Sequence, residues 1–283
     1  MRSKSTPGRK KWLFYSQIGL YLKLYKIWFV IGDMQKSIIR IGTSGFCYKD
    51  WLGNFYPQFC PEADFLRFYA SRFKTVEIDS TFYKMPTAET VKKWCCSTPE
   101  NFVFTAKFPK EITCQGCPGD SVEQAKAFIK TMNKCGSKLG PLLIQIPVHF
   151  KPDRFEALAR LLNALPDNTK YALEIRDKSW LEVDRLFEIL KEKNIAFSMI
   201  DHPWMPKVSI QTADFVYFRF LGDRKAVSRD FSFVRNERDE DLAFWTEAIK
   251  KYSHQDIPCY GYVNNHYSGH APSTAQKLME LIS

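Results

Sequence analysis

Histidine is scarce in this sequence, and the common nucleotide-binding and nucleophile motifs are absent. The 283 residues contain only five histidines, His149, His202, His254, His266 and His270. Of these, His202 alone adjoins an acidic residue at the end of an apolar run. No phosphate-binding loop, dinucleotide fingerprint or Gly-x-Ser-x-Gly elbow occurs. These absences exclude ATP-driven, nicotinamide-dependent and serine-hydrolase reactions, and they argue against a polynuclear zinc cluster.

Long apolar runs are also absent, including from the basic N-terminal segment. Residues 1–33 carry seven Lys and Arg residues against Asp33, a net charge of +6 out of +10 for the whole chain. Lysines interrupt the apolar stretches there, and no small-residue cleavage site follows. One interpretation is a helix that lies on a membrane surface; the one that we favour is that translation starts at Met34. We therefore expect no stable membrane insertion, an N-terminal extension over 1–33 and a folded domain over 34–283.

The cysteines lack the regular spacing of a disulfide framework. One Cys-x-x-Cys motif, Cys114-Gln-Gly-Cys117, has the spacing of a metal or redox site, and Cys135 is a candidate third ligand. No second pair of this kind accompanies it. We favour free thiols in a reducing cytoplasm, with a structural metal or redox pair at Cys114 and Cys117 as the alternative.

Strand-like and helix-like runs alternate along the chain. The eight strand-like runs are Ile38–Gly42, Thr75–Ile78, Phe102–Lys107, Leu142–Ile146, Tyr171–Ile175, Ala196–Ile200, Phe215–Phe220 and Cys259–Val263. The helix-like runs are Glu62–Phe73, Ala88–Cys95, Ser121–Cys135, Asp153–Asn163, Glu182–Glu192, Arg238–Tyr252 and Ala271–Leu281. Pro203 and Pro206 leave no room for a regular helix after the sixth strand. This order predicts an α/β fold, a single (β/α)8 TIM-type barrel that lacks one regular helix after strand 6.

Polar residues stand at the carboxyl ends of six of these strands. Parallel strands covered by helices normally read as unbroken apolar runs, so these residues need another explanation. They are Thr75, Glu77 and Asp79; Thr105 and Lys107; Gln145; Glu174 and Arg176; Arg219; and Asn264. Residues two apart on a strand point to the same face. Because the carboxyl ends of barrel strands form one mouth, the pattern predicts a polar pocket there.

Seven segments occur in a fixed order along the chain: IGTSGFCYKDWLGNFYP, VEIDSTFYKMP, FVFTAKFPKEIT, LGPLLIQIP, LEIRDKSW, VYFRFLGDR and VNNHYSGHAPSTA. Together they closely resemble the YecE-like family, known as domain of unknown function seventy-two. The resemblance covers about residues 38–281. It implies a barrel of the TIM type and leaves the reaction open, since the family's biochemical function is not established. Asp79 departs from the family pattern, in which many members have Asn.

The mouth residues receive candidate roles from their chemistry, and the family pattern includes most of them. Glu77, Glu174 and Asp201 are the candidate catalytic residues, because carboxylates in different surroundings can divide acid and base roles. Lys107, Arg176 and Arg219 would bind a phosphate or carboxylate group. The other candidate substrate-binding residues are Ser44, Gln145, Asn264 and Asn265, with Tyr83 and Trp51 as rings for stacking.

These residues predict an enzyme, of hydrolase, lyase or isomerase type, that applies acid/base chemistry to a small phosphorylated or carboxylated compound, sugar-like compounds included. One alternative is a structural ion network that closes the barrel, since buried charges persist only when they are paired. The other is a protein that binds or processes nucleic acid. That alternative requires basic residues to cluster at one rim: Lys49, Lys84, Lys110, Arg224, Lys225 and Arg229.

We expect no cofactor. The metal alternative is a single Mg²⁺ or Mn²⁺ ion on Glu77, Glu174 and Asp201, because oxygen ligands suit these ions.

Overall fold

The computed structural model describes residues 39–113, 121–227 and 230–283. The N-terminal extension and the Cys114/Cys117 motif lie outside the described residues, so the expectations for them stay predictions. Eight strands occur: β1 (Ile39–Thr43), β2 (Thr75–Ile78), β3 (Val103–Lys107), β4 (Leu139–Gln145), β5 (Tyr171–Glu174), β6 (Ile195–Asp201), β7 (Val216–Phe220) and β8 (Cys259–Val263).

The strands form one parallel sheet that curls into a nearly closed barrel. Each of β2 to β7 pairs with the next strand in sequence, and β8 pairs with β1. Between β1 and β2 the contact is a single bridge from Ser44 to Glu77, where the amide of Gly45 donates to the carbonyl of Glu77 over 2.8 Å. The predicted barrel is confirmed, and its closing seam lies at a candidate site residue.

Nine α-helices occur among the described residues: α1 (Phe65–Arg72), α2 (Ala88–Cys96), α3 (Lys110–Thr113), α4 (Val122–Met132), α5 (Phe155–Asn163), α6 (Asp184–Glu192), α7 (Asp239–Ser253), α8 (Asn265–Ser268) and α9 (Ala271–Ile282). Residues 202–215, between β6 and β7, contain no helix, as Pro203 and Pro206 predict. Among the described residues, no helix is long and apolar enough to cross a membrane.

Two strands begin earlier than predicted, β6 by one residue at Ile195 and β4 by three. The sequence predicts that β4 starts at Leu142, yet the strand begins at Leu139. The register between β3 and β4 shifts at this point, since Leu139 pairs with Phe104 and Leu142 pairs with Ala106. A proline is tolerated at such an irregularity because no ladder hydrogen bond from its nitrogen is needed there.

Side chains alternate between the barrel interior and the helix layer. Inside the barrel, a compact cluster is formed mainly by small residues and rings: Val103, Leu143, Ala172, Ala196, Ala213, Phe215, Tyr217, Tyr260 and Tyr262. Strand neighbours such as Phe104, Phe197 and Phe218 belong to the larger core between the sheet and the helices. Because the period is two, residues that follow Ala172 or Tyr217 at even spacing also face inward, towards the mouth.

Candidate functional site

Four predicted residues form a hydrogen-bonded network inside the mouth. The Arg219 guanidinium donates to Glu77 Oε1 over 2.7 Å and, through Nη1, to Glu174 Oε2. Ser44 Oγ donates to the same Glu77 oxygen over 2.7 Å. Both carboxylates are fully buried and Arg219 is 4% exposed. Residues from β2, β5 and β7 therefore meet at the barrel centre, with Ser44 joining them just after β1.

Two tyrosines that the sequence analysis did not select support this network from below. The Tyr217 hydroxyl donates to Glu77 Oε2 over 2.7 Å and lies 3.2 Å from the Thr105 hydroxyl. The Tyr262 hydroxyl lies 2.7 Å from Thr75 Oγ1. Tyr217 precedes Arg219 by two residues on the same strand, so the period-two pattern was a signal that could have identified it.

The negative charges of the buried carboxylates are balanced by the positive charges of neighbouring side chains. Burial opposes ionisation of Glu174, but the positive charges of Arg219, Arg176 and Lys107 hold the pKa of its carboxyl group at about 2. Burial likewise disfavours the charged form of Arg219, whereas Glu174 and Glu77 raise the pKa of its guanidinium well above the ordinary range. At neutral pH, Glu174 is a carboxylate held by arginines and therefore a poor proton donor.

Lys107 differs from these ions because it lacks a direct acidic partner. Among the described residues, no carboxylate lies within ion-pair distance of its Nζ atom, which instead lies 3.6 Å from the centre of the Phe82 ring. Burial, with the positive charges of Arg219 and Arg176, lowers the pKa of the Lys107 amine to about 7. Glu174 and Glu77 oppose this shift only in part. A large fraction of this lysine is therefore an uncharged amine near neutral pH.

Two further groups stand at the outer edge of the mouth. Arg176 Nε donates to Glu174 Oε1 over 2.6 Å, while the arginine side chain is 31% exposed and its Nη groups have no acceptor among the described residues. Asp79 is half-buried, and its Oδ2 accepts a hydrogen bond from Tyr48 over 3.4 Å. Burial and the nearby Glu77 raise the pKa of the Asp79 carboxyl group. The edge thus carries a partly exposed cation and, separately, an acid that retains its proton more readily.

Three predicted residues lie away from this cluster. Asp201 points to the helix layer, where its Oδ2 accepts hydrogen bonds from Trp245 Nε1 and from the Tyr267 hydroxyl, both over 2.9 Å. Trp51 is fully buried, and its Nε1 donates to Asn265 Oδ1 over 3.2 Å. The same Asn265 oxygen accepts the amide of Ala271 at the start of α9. These contacts fasten loops and helices, and they do not bring Asp201, Trp51 or Asn265 to Glu77 and Glu174.

The remaining predicted residues lie at the mouth or its rim. Gln145 is 5% exposed, and its Oε1 atom has no hydrogen-bond partner among the described residues. Asn264 Oδ1 accepts the amide of His266 and so caps the start of α8. Tyr83 is 65% exposed, with its ring 5.2 Å from that of Phe82. Of these residues, Gln145 is the one whose side-chain oxygen is buried with no hydrogen-bond partner in the described part of the chain.

The residues considered for a magnesium or manganese ion are not assembled. Among the described residues, no group of three or more His, Cys, Asp or Glu side chains is placed to hold a metal ion. Asp201 lies on the helix side of its strand, and Arg219 occupies oxygens of both Glu77 and Glu174.

The family model for the "Protein of unknown function DUF72" matches residues 40–283. The chain belongs to the DUF72 family. Among curated DUF72-type relatives, the UPF0759 protein YunF of Bacillus subtilis is 25% identical over 271 residues, which cover 87% of this chain and 95% of YunF. The UPF0759 protein YecE of Escherichia coli K12 is 32% identical over 108 residues. That alignment spans only 38% of this chain and 40% of YecE.

Solved DUF72 structures share the barrel. The crystal structure of a DUF72 family protein from Thermotoga maritima superposes with a TM-score of 0.74 at 27% identity. The match covers 87% of this chain and 99% of that protein. This family is the one that the seven ordered segments resemble. Its name specifies no reaction. The reaction has to be inferred from the mouth itself.

Proposed function

We propose that this protein is an enzyme that uses acid/base chemistry on a small phosphorylated or carboxylated compound bound at the barrel mouth. The observation that carries the proposal is the Lys107 amine, which is buried beside a network of paired ions and, within the described part of the chain, has no carboxylate at ion-pair distance. A purely structural network would gain stability from an apolar residue at this position, since an unpaired buried amine is costly. The presence of a lysine there points to chemistry.

The anionic group of the substrate would bind at Arg176. The Nε atom of this arginine is held by Glu174, which fixes the plane of the guanidinium and leaves its outer N–H groups to form two parallel hydrogen bonds with an oxyanion. Lys107 in its protonated form adds a second positive charge. Arg219, predicted as an anion ligand, is instead proposed to support the site, because both of its carboxylate partners are in place.

Proton transfer would involve Lys107 and Asp79. Their surroundings move both pKa values towards neutral pH. The pKa of the Lys107 amine is lowered, and the pKa of the Asp79 carboxyl group is raised. General acid/base catalysis is most effective when the pKa of the group lies near the working pH. Glu77 and Glu174 then act as charged supports that hold Arg219 and Arg176 in position.

A binding measurement with inorganic phosphate tests the proposal. We expect the wild-type protein to bind phosphate at neutral pH, and Arg176→Gln to weaken this binding about tenfold or more, since a charge-assisted pair of hydrogen bonds is lost. The matched control is Lys130→Gln, which removes an exposed cation from α4 and should leave binding unchanged. Isothermal titration calorimetry of the three proteins gives the affinities. Equal weakening by both substitutions would show that phosphate is attracted by net charge and not by the mouth.

Nucleic acid is the second candidate occupant, since Lys84, Arg224 and Lys225 are exposed on loops that follow β2 and β7. Of the other predicted rim cations, Lys49 is paired with Glu62, and Arg229 lies outside the described residues. Binding of a short oligonucleotide that is lost on changing Lys84 and Lys225, and retained in Arg176→Gln, would favour this candidate. A cytoplasmic location stays a prediction.

A further inference from the structure

Three observations describe the surroundings of the Lys107 amine. It is buried, it has no carboxylate within ion-pair distance among the described residues, and its Nζ atom lies against the Phe82 ring. We propose that this amine forms an imine with a small 2-oxo acid bound in the mouth. The inference rests on the proposed function and deepens it, because it names the substrate class and a covalent step.

The surroundings of Lys107 shift its equilibrium from the ammonium ion towards the uncharged amine. Arg219 and Arg176 supply positive charge nearby, while their carboxylate partners are engaged with the guanidinium groups. An amine that is desolvated beside other cations is the form that attacks carbonyl carbon. The Phe82 ring covers one side of the amine.

The groups around Lys107 match the parts of a 2-oxo acid. A carboxylate next to the carbonyl carbon would be held by the outward N–H groups of Arg176. The unpartnered Oε1 atom of Gln145 can accept a hydrogen bond from the hydroxyl group that forms on attack. In the β3–β4 register Lys107 pairs with Leu143, so Gln145 lies two residues further along the adjacent strand, on the same face. Since Lys107 is only 8% exposed, the oxo acid has to be small.

The reaction balances with groups that the mouth contains. The Lys107 nitrogen attacks the carbonyl carbon, a C–N bond forms, and one N–H proton moves to the carbonyl oxygen to give a neutral carbinolamine. The Asp79 carboxyl group then donates its proton to that hydroxyl oxygen, the C–O bond breaks, and water leaves. The product is a protonated imine on Lys107 with Asp79 as the carboxylate. No oxidant or reductant is consumed.

Reductive trapping on the full chain tests the inference. The probe is glyoxylate with sodium cyanoborohydride at neutral pH, which converts an imine into a stable carboxymethyl amine. Peptide mass spectrometry then compares Lys107 with the exposed reference lysine Lys130 on α4. We expect Lys107 to be modified about tenfold faster than Lys130 or more, since a larger share of its amine is uncharged. Unfolding the protein in urea should abolish this preference.

Two variants separate oxo-acid recognition from mere amine reactivity. Arg176→Gln should slow modification of Lys107 by glyoxylate several-fold more than modification by formaldehyde, because formaldehyde has no carboxylate and is affected only through the loss of the Arg176 charge beside the amine. Lys107→Arg keeps a cation in the mouth and should remove the carboxymethyl group at this position while Lys130 reacts as before. Modification of Lys107 no faster than Lys130 in the folded wild-type protein would overturn the imine. If phosphate binding at Arg176 persists in that case, the proposed function survives without the covalent step.

Discussion

Replacing Arg219 with Met is expected to lower the free energy of unfolding by about 3–5 kcal/mol, because it leaves buried carboxylates without their shared partner. Glu77 and Glu174 are both fully buried, and each accepts a hydrogen bond from this guanidinium. Methionine keeps the apolar stem to about the position of Nε and removes the guanidinium group, so the loss combines the unpaired carboxylates with a smaller contribution from the vacated volume. Urea denaturation at neutral pH, followed by tryptophan fluorescence, measures the change.

The matched control is Arg176→Met. Arg176 also bonds Glu174, but it is 31% exposed, and Glu174 keeps Arg219 when it is removed. We expect this variant to lose only about 1 kcal/mol. Similar losses in the two variants, or a loss below about 1 kcal/mol in Arg219→Met, would show that the carboxylates do not depend on the central guanidinium.

Replacing Gly222 with Ala should destabilise the protein by about 4 kcal/mol or more, since strain and overlap act together. Gly222 follows β7 and has a φ angle of +62°. A Cβ atom there would lie 2.3 Å from the carbonyl oxygen of His266 and 2.5 Å from the Cα of Tyr267. These are backbone atoms of α8, which cannot move without displacing the loops that form the mouth.

Gly136→Ala is the control for backbone strain alone. Gly136 also has a positive φ angle, +57°, but nothing lies within 4 Å of its added Cβ atom. We expect it to lose about 1–3 kcal/mol, the cost of the unfavourable backbone conformation. Chemical denaturation of the two variants side by side gives the comparison. Equal losses would mean that the close approach of Gly222 to α8 does not constrain the mouth.

Much of the fold follows from local patterns in the sequence. Strand and helix periods, together with prolines and caps, determine the eight strands and the missing helix after β6. The inward positions of Glu77, Glu174 and Arg219 also follow, because each lies at even spacing from other interior residues of its strand. The start of β4 could not be predicted in this way, since it depends on the register shift between β3 and β4 near Gly140.

The sequence predicts the position of a site residue only in strands where other polar residues show which face points into the barrel. In β6 the predicted run Ala196–Ile200 is apolar on both faces except at Ser198, so Asp201 looked like another mouth residue. Ser198 stands three positions before Asp201, and an odd spacing places them on opposite faces. The bond between Trp51 and Asn265 joins residues 214 positions apart, and no local pattern specifies such a pair. Among the described residues, no carboxylate lies at ion-pair distance from Lys107, and this too depends on tertiary packing and not on a local sequence pattern.

The claim that the mouth binds an anion beside Lys107 is tested most directly by chemical protection of that amine. Formaldehyde and sodium cyanoborohydride methylate accessible uncharged amines, and the rates at Lys107 and Lys130 can be followed in one sample by mass spectrometry. Phosphate bound at Arg176 would cover Lys107 and favour its charged form. We expect phosphate to slow methylation of Lys107 several-fold and to leave Lys130 unchanged. An equal rate at Lys107 with and without saturating phosphate would contradict the anion site.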